Sequence, residues 1–131
     1  MPSAQVTAGK ARAALNVARS TIYGYADEVD RRALAGEDFI PPDEPVITMD
    51  LIWVITMLAQ TIDALQIALG SSTIALSNPI QRFARDVRVL STHGALRLDP
   101  MAEINGREIL GLEPFMMMTG WNPPAQPMKQ P

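Results

Sequence analysis

The sequence has no cysteine, few aromatic side chains and no excess of positive charge. Without cysteine there can be no disulfide framework, thiol nucleophile or thiolate metal site, and a cytoplasmic location is expected. The net charge of −3 provides no basic surface for phosphates or anionic lipids, so neither nucleic acid nor a membrane is an expected partner. Hydrophobic residues reach 47% but aromatic residues only 5%, which favours an all-α domain over a β-sandwich.

The first predicted helix extends from about Ala4 to Ala35. Apolar residues recur there at steps of three or four and form one stripe: Ala11, Leu15, Ala18, Ile22, Tyr25, Val29 and Ala33. Gly36 suits a left-handed C-terminal cap, and Pro41, Pro42 and Pro45 then prevent the helix from continuing. The sequence therefore predicts a real break between the first two helices.

The segment Val46 to Leu69 is the most hydrophobic of the chain and is long enough to span a bilayer. Asp50 and Asp63 argue against a span, because a carboxylate near the middle of a lone span costs about 2.5–3.5 kcal/mol. We expect instead a central bundle helix, buried on most sides. Thr56, Gln60 and Asp63 would form a polar seam that either faces solvent or lines a site.

Two further helices are predicted from start signals that combine a capping side chain with proline. Asn78 and Pro79 begin the third helix, whose apolar stripe comprises Ile80, Phe83, Ala84, Val87 and Leu90. Asp99 and Pro100 begin a short fourth helix that should stop at Gly111. We therefore divide the chain into a helical bundle domain at residues 1–112 and a Pro/Met-rich tail at residues 113–131, without regular structure. In that tail, Met116, Met117 and Met118 would either bind a partner or cover their own domain.

His93 is the only histidine, and its ordinary pKa makes it the first candidate for acid/base catalysis. The alternative is a capping or packing role at a helix end. Pairing with Asp86 is not expected, because two helical turns place the two residues roughly 10 Å apart along the axis. The sequence offers no catalytic triad, metal cluster or phosphate-binding glycine loop. Arg82, Arg85 and Arg88 would either hold an anionic cofactor or form a structural network with Asp86.

Residues 11–112 resemble the C-terminal helical domain of flavin-dependent monooxygenases in the acyl-CoA dehydrogenase superfamily. The resemblance is carried by the segment RSTIYGYADEVDRRALAGEDF and by a long apolar helix that ends in a Gly-Ser turn. It is also carried by a Pro-x-Gln-Arg-x-x-Arg-Asp helix, from Pro79, that leads to His93. The N-terminal and middle domains of that family have no counterpart here, and neither does the first long helix of its C-terminal bundle.

The resemblance implies a role for four residues. His93 would lie beside the reactive edge of a flavin, where it would assist the oxygenated flavin or deprotonate a substrate. Gly70, Ser71 and Ser72 match a turn that approaches a cofactor, often one bound mainly by a neighbouring subunit. Independently of the resemblance, Arg85 is a candidate to hold that cofactor through charge-assisted hydrogen bonds. Ser91 to Gly94 do not match the Tyr-Glu-Gly-Thr segment of acyl-CoA dehydrogenases, which disfavours dehydrogenation.

These observations give two hypotheses of different classes. The first is a small helical subunit or fragment that acts on FMN or FAD only with a partner flavoprotein chain or as a homo-oligomer. The second is a stand-alone protein derived from the same domain, which works without a cofactor as a cyclase, an isomerase or a small-molecule binder. Both require an up-down bundle of three main helices and a short fourth, completed by oligomerisation.

Overall fold

The computed structural model describes residues 3–40 and 43–112, and its regular structure is entirely helical within those ranges. The predicted all-α fold is therefore confirmed. The helices are α1 (Ala4–Ala35), α2 (Asp43–Leu69), α3 (Ile80–Thr92) and α4 (Leu98–Ile109), with short 3-10 turns at Ser71–Ile74 and Gly94–Leu96. Pro41, Pro42 and the predicted tail lie outside the described residues.

The ends of α1 agree with the predicted ends. At its start, the Ser3 side chain accepts a hydrogen bond from the Val6 amide, and at its end Gly36 adopts the left-handed conformation with φ 68°. The start of α2 was predicted three residues too late, since the helix begins at Asp43 rather than Val46. Pro45 lies in the first turn of α2, where a missing backbone N–H costs no intrahelical hydrogen bond.

The side of α1 that packs inward differs from the predicted apolar stripe. Its buried and half-buried positions alternate at steps of four and three: Thr7, Ala11, Ala14, Ala18, Thr21, Tyr25, Glu28 and Arg32. Leu15, Ile22 and Val29 were predicted to be in the stripe but are 45%, 47% and 49% exposed. From Thr7 to Thr21 the inner stripe consists of small side chains, and the larger apolar residues of α1 lie at its edge.

Helix α2 is the central element, because it carries the main contacts with α1, α3 and α4. Tyr25 of α1 donates a hydrogen bond to Asp50, and Arg32 of α1 pairs with Asp43 at 3.0 Å. On the other side, Asp63 pairs with Arg88 of α3. Asp50 and Asp63 are about 140° apart around α2 at about 100° per residue, so α1 and α3 pack on nearly opposite sides of it.

Helices α3 and α4 follow α2 as one interrupted rod. Arg88 is level with Asp63, and the Asn105 side chain donates to the Pro45 carbonyl at 3.2 Å. From the first pair to the second, the position on α2 moves back by 18 residues while the position on the other helices advances by 17. Both α3 and α4 therefore run antiparallel to α2, with the same alignment along it. The interruption at residues 93–97 contains the second 3-10 turn. α4 ends as predicted, with Gly111 at φ 64°.

The interior formed by the described residues is small. The buried side chains are Thr7, Ala18, Ile52, Val54, Thr73, Ala84 and Met101. The expectation that α2 is buried on most sides is therefore wrong for this chain, since only Ile52 and Val54 of that helix are buried. Neighbours on two sides alone leave the other two sides of a helix open to solvent. Within the described ranges, α2 is also long and apolar enough to cross a membrane by length and composition alone, a test that soluble core helices also pass.

Candidate functional site

The turn at Gly70 to Ser72 connects α2 to α3 and is open to solvent. Gly70 has φ 84° and ψ −172°, a backbone conformation that is essentially restricted to glycine. Nothing lies within 4 Å of the position that a Cβ on Gly70 would take. Glycine is therefore required by the backbone rather than by crowding, and the turn leaves free space in front of its peptide groups.

Several side-chain hydrogen bonds hold this turn in place. The Thr73 hydroxyl, on a side chain only 3% exposed, donates to the Gly70 carbonyl at 2.7 Å. Asn78 donates to the Ser72 carbonyl at 3.2 Å and accepts from the Ile80 amide at 3.1 Å, which confirms it as the cap of α3. The Gln81 side chain donates to the Thr73 carbonyl. The backbone of the turn is thus fixed while the Ser71 and Ser72 side chains remain exposed.

The three arginines of α3 have different environments. Arg88 pairs with Asp63, and Arg82 approaches Asp86 at 3.8 Å with both side chains largely exposed. The predicted network with Asp86 is therefore limited to Arg82. Arg85 has no ion pair among the described residues and lines an open groove of about 330 Å³. The groove is formed along α3 by Gln81, Ala84, Arg85, Arg88, Val89 and Thr92.

His93 lies where α3 ends and the interruption before α4 begins. Its side chain is exposed, and Nδ1 accepts a hydrogen bond from the Ala95 amide at 3.3 Å. The capping alternative from the sequence is therefore realised. It does not remove the chemical one, because a neutral imidazole with Nδ1 as acceptor carries its proton on Nε2, which faces away from that bond.

A second depression lies at the interruption between α3 and α4, and it was not predicted from the sequence. It has a volume of about 200 Å³ and is lined by Ser91, Thr92, Arg97, Leu98 and Asp99. The Ser91 and Thr92 hydroxyls both donate to the Arg88 carbonyl, at 3.0 and 2.9 Å. The interruption between α3 and α4 creates this notch, and the Asp99-Pro100 start signal was the one indication that a helix begins again there.

The predicted site residues lie along one edge of the molecule and do not converge. Gly70 precedes α3 and His93 follows it, so the 13 residues of this helix separate them by roughly 20 Å. Arg85 lies between them. Both depressions are open, whereas a ligand pocket ordinarily covers most of its ligand. In the described part of the chain, no group of three His, Cys, Asp or Glu side chains is arranged to hold a metal ion.

The side chains with the most strongly shifted pKa values lie elsewhere, near the contact between α1 and α2. Hydrogen bonds from Arg31 and Arg32 lower the pKa of Glu28 to about 2. Arg32 also pairs with Asp43 and stacks 4.4 Å from the centre of the Phe39 ring. The hydrogen bond to Asp50 raises the pKa of Tyr25 to about 12. These groups join the two helices and are distant along the chain from His93, so their role is structural.

Comparison with known proteins gives one family match. Residues 1–98 match the family described as the C-terminal domain of acyl-CoA dehydrogenase. A 62-residue part of the chain is 31% identical to the oxygenase component of p-hydroxyphenylacetate 3-hydroxylase from Acinetobacter baumannii. That part is 47% of this chain and 15% of the relative.

Solved structures with the same arrangement of helices include a monooxygenase, a hydroxylase and a protein bound to FADH2. The HsaA monooxygenase of M. tuberculosis is 25% identical with a TM-score of 0.77, over 89% of this chain and 30% of that one. The 3-HSA hydroxylase of Rhodococcus sp. RHA1 is 22% identical with a TM-score of 0.78, over 86% and 29%. XiaF from Streptomyces sp., in complex with FADH2 and glycerol, is 23% identical with a TM-score of 0.78, over 87% and 29%. The last two, at their identities, show the fold alone, and the chain spans less than a third of each relative.

Proposed function

Because this chain belongs to the family of acyl-CoA dehydrogenase C-terminal domains, we propose that it serves as the helical domain of a flavin-dependent monooxygenase. It would act on a flavin that a partner chain, or a second copy, helps to hold. The observation that carries this proposal is the exposure of Gly70 to Ser72, Arg85 and His93 along one edge. These residues are positioned to contact a cofactor held from outside.

The described residues fit a flavin as a contact surface rather than as a complete pocket. Gly70 leaves open space, and the adjacent hydroxyls and backbone groups suit the polar parts of a nucleotide cofactor. Arg85 has no ion pair within residues 3–40 and 43–112, so its guanidinium could bind a phosphate. The rest of the binding surface would have to come from the partner, since both depressions on this chain are open.

His93 is the residue that we assign to the chemistry. A bound reduced flavin supplies oxygen activation in such enzymes. Nε2 of His93 would donate a hydrogen bond to the reacting oxygen. Uptake of a substrate proton at Nε2 requires the other neutral tautomer, with the proton on Nδ1, and therefore the loss of the hydrogen bond from the Ala95 amide. The hydrogen bond from the Ala95 amide to Nδ1 supports this assignment, because it fixes which nitrogen is presented outward.

The distance between the turn and His93 supports the involvement of a second protein chain. A separation of roughly 20 Å along α3 is too long for both to contact the same ring system. We therefore propose that the Gly70 turn and His93 contact different parts of a cofactor, or two cofactors bound at neighbouring subunits. The chain covers less than a third of its structural relatives, so the remaining surface has an obvious source in the other domains of such proteins.

The proposal can be tested in two steps. The purified chain is titrated with FMN and FAD, oxidised and reduced, and should bind neither with the micromolar affinity of a complete flavoprotein. This chain then replaces the corresponding segment of the Acinetobacter baumannii oxygenase component, and hydroxylation is measured with reduced flavin supplied. We expect an active chimera that loses hydroxylation in His93→Ala and retains flavin binding.

Glu103→Ala is the control for His93→Ala, since Glu103 is an exposed residue of the following helix α4 and lines neither depression. A chain that binds flavin tightly as a monomer would refute the requirement for a partner. A folded, flavin-bound chimera whose hydroxylation is unaffected by His93→Ala would refute the role of the histidine.

A further inference from the structure

Short-range hydrogen bonds determine the local shape around His93. Its amide donates to the Leu90 carbonyl at 3.2 Å, and its carbonyl accepts from the Leu96 amide at 2.8 Å. Nδ1 accepts from the Ala95 amide, so the imidazole and both backbone groups of His93 are bonded to residues at most three positions away. Where this segment lies relative to the rest of the molecule is therefore decided by other contacts.

Burial contributes little to holding the end of α3 that leads to His93. Of the residues of α3, all within the described ranges, only Ala84 is buried, and it lies nine residues before His93. The roughly two helical turns that follow Ala84 contain half-buried and exposed side chains alone. Packing therefore attaches the first half of α3 to its neighbours and leaves the second half to be held in another way.

The ion pair between Asp63 and Arg88 attaches this second half to α2. Among the described residues it is the only side-chain hydrogen bond that joins α3 to α2. The Arg88 carbonyl also accepts from the Ser91 and Thr92 hydroxyls, at 3.0 and 2.9 Å. Arg88 therefore contacts α2 through its side chain and the last turn of α3 through its backbone. Asp63 is thus connected, through Arg88, to the turn that leads to His93.

The segment after His93 has its own attachment to α2. Met101 of α4 is buried, and the Asn105 side chain donates to the Pro45 carbonyl of α2 at 3.2 Å. Helices α3 and α4 have few contacts with each other. His93 therefore lies at a junction between two helices that α2 holds separately, and its position depends on both attachments.

We propose that Asp63 is a positioning residue for His93 and acts through Arg88. It holds the end of α3 at one place on α2, so that the imidazole meets the reacting oxygen at a defined distance and angle. Such placement matters, because a displacement of about 1 Å at a reacting group can reduce the rate on the order of 100-fold. The proposal rests on the proposed function for the task of His93, and its evidence is the contacts between the described helices.

Amide hydrogen exchange of the complete chain tests how His93 is held, with Asp63→Asn and Asp50→Asn as matched variants. Both carboxylates lie on α2 and pair with a residue 25 positions away, but Asp50 contacts Tyr25 of α1. In Asp63→Asn the His93 and Leu96 amides should exchange about fivefold faster, which equals about 1 kcal/mol and is the upper range for an exposed ion pair. In Asp50→Asn their rates should stay within about twofold. Unchanged rates in Asp63→Asn, or equal acceleration in both variants, would overturn the proposal.

Arg88→Gln removes the same ion pair from the other side. It should accelerate exchange of the His93 amide as much as Asp63→Asn does, and the double variant should show no further effect, because both changes break one link. Asp63→Arg combined with Arg88→Asp should restore slow exchange at least in part, since opposite charges face each other again. Additive effects of Asp63→Asn and Arg88→Gln would overturn the action of Asp63 through Arg88.

Turnover of the chimeric oxygenase described above reads the consequence for catalysis. Asp63→Asn should lower kcat about threefold or more and leave KM and flavin affinity within about twofold, since the reacting group is displaced while the binding contacts remain. Asp50→Asn should change neither. An active chimera whose kcat is unaffected by Asp63→Asn would overturn the positioning role. A chimera without hydroxylation would instead refute the proposed function, and the exchange rates of the chain alone would still show how His93 is held.

Discussion

Replacing Ile52 by alanine should destabilise the chain far more than the same replacement at Ile67. Both residues lie on α2, but Ile52 is completely buried and Ile67 is 67% exposed. Ile52→Ala removes three carbon groups at about 0.8 kcal/mol each and leaves a cavity, so we expect a loss of about 3 kcal/mol. At Ile67 about one third of the same area leaves a buried environment, and the loss should be about 0.8 kcal/mol.

The comparison of the two sites is sharper than either value alone. Both variants change the helix propensity of α2 equally, so this contribution cancels in the difference of about 2 kcal/mol. Urea unfolding at a single protein concentration measures it, because self-association makes stability concentration-dependent. If Ile52→Ala does not fold, Ile52→Val and Ile67→Val preserve the comparison on a smaller scale. Equal losses at both sites would refute the packing of α2 described above.

Three further predictions concern the pH dependence of stability at two residues and the replacement of glycine. Because the pKa of Glu28 is lowered to about 2, its contribution to stability is complete above its ordinary pKa of 4.5 and is lost as the pH falls from 4.5 towards 2. Because the pKa of Tyr25 is raised to about 12, its contribution is complete below pH 10 and is lost as the pH rises from 10 to 12. Unfolding of Glu28→Gln and Tyr25→Phe across pH should show flatter acid and alkaline limbs, respectively, and unchanged limbs would contradict the assignment. Gly24→Ala should stabilise the folded chain by about 0.5–1 kcal/mol, because Gly24 lies within α1 with open space around it. Gly70→Ala should destabilise it, because Gly70 has φ 84°. The melting temperatures of the two variants should therefore shift in opposite directions.

The helix ends were the most predictable part of this fold, because the signals that set them are local. Gly36 and Gly111 end α1 and α4 in the left-handed conformation, and Asn78 caps α3, each through contacts within a few residues. The start of α2 was placed too late because proline was taken as a barrier to helix formation. In the first turn it is compatible with a helix, and Asp43 stabilises that turn by accepting from the Ile40 amide.

Which side of each helix packs inward was less predictable. In α1 two stripes with the same spacing lie next to each other, and the sequence indicated the one with the larger side chains. The structure uses the stripe that includes Ala14, Thr21 and Glu28, and α2 supplies charged partners at its C-terminal part, Asp50 for Tyr25 and Asp43 for Arg32. Asp63 and Arg88 lie on different helices and are 25 residues apart in sequence, so no local pattern indicated that they pair.

The candidate site was predicted as a set of residues but not as an arrangement. The sequence identified His93 and the Gly70 turn, and the structure adds that α3 holds them apart. The open groove beside Arg85 and the notch beside His93 depend on how α3 and α4 are interrupted. Such features follow from tertiary packing, which periodicity and capping signals do not specify.

The central position of α2 has a consequence for how the chain opens. Since α1 packs mainly on α2, and α3 and α4 do the same from the other side, α2 is the element through which the outer helices are coupled. Separation of α1 from α2 breaks one contact surface and leaves the other intact. Helix α1 can therefore exchange its amide hydrogens in an opening event of its own. The amides of α2 become accessible only when both surfaces have separated, and they should therefore be the slowest to exchange.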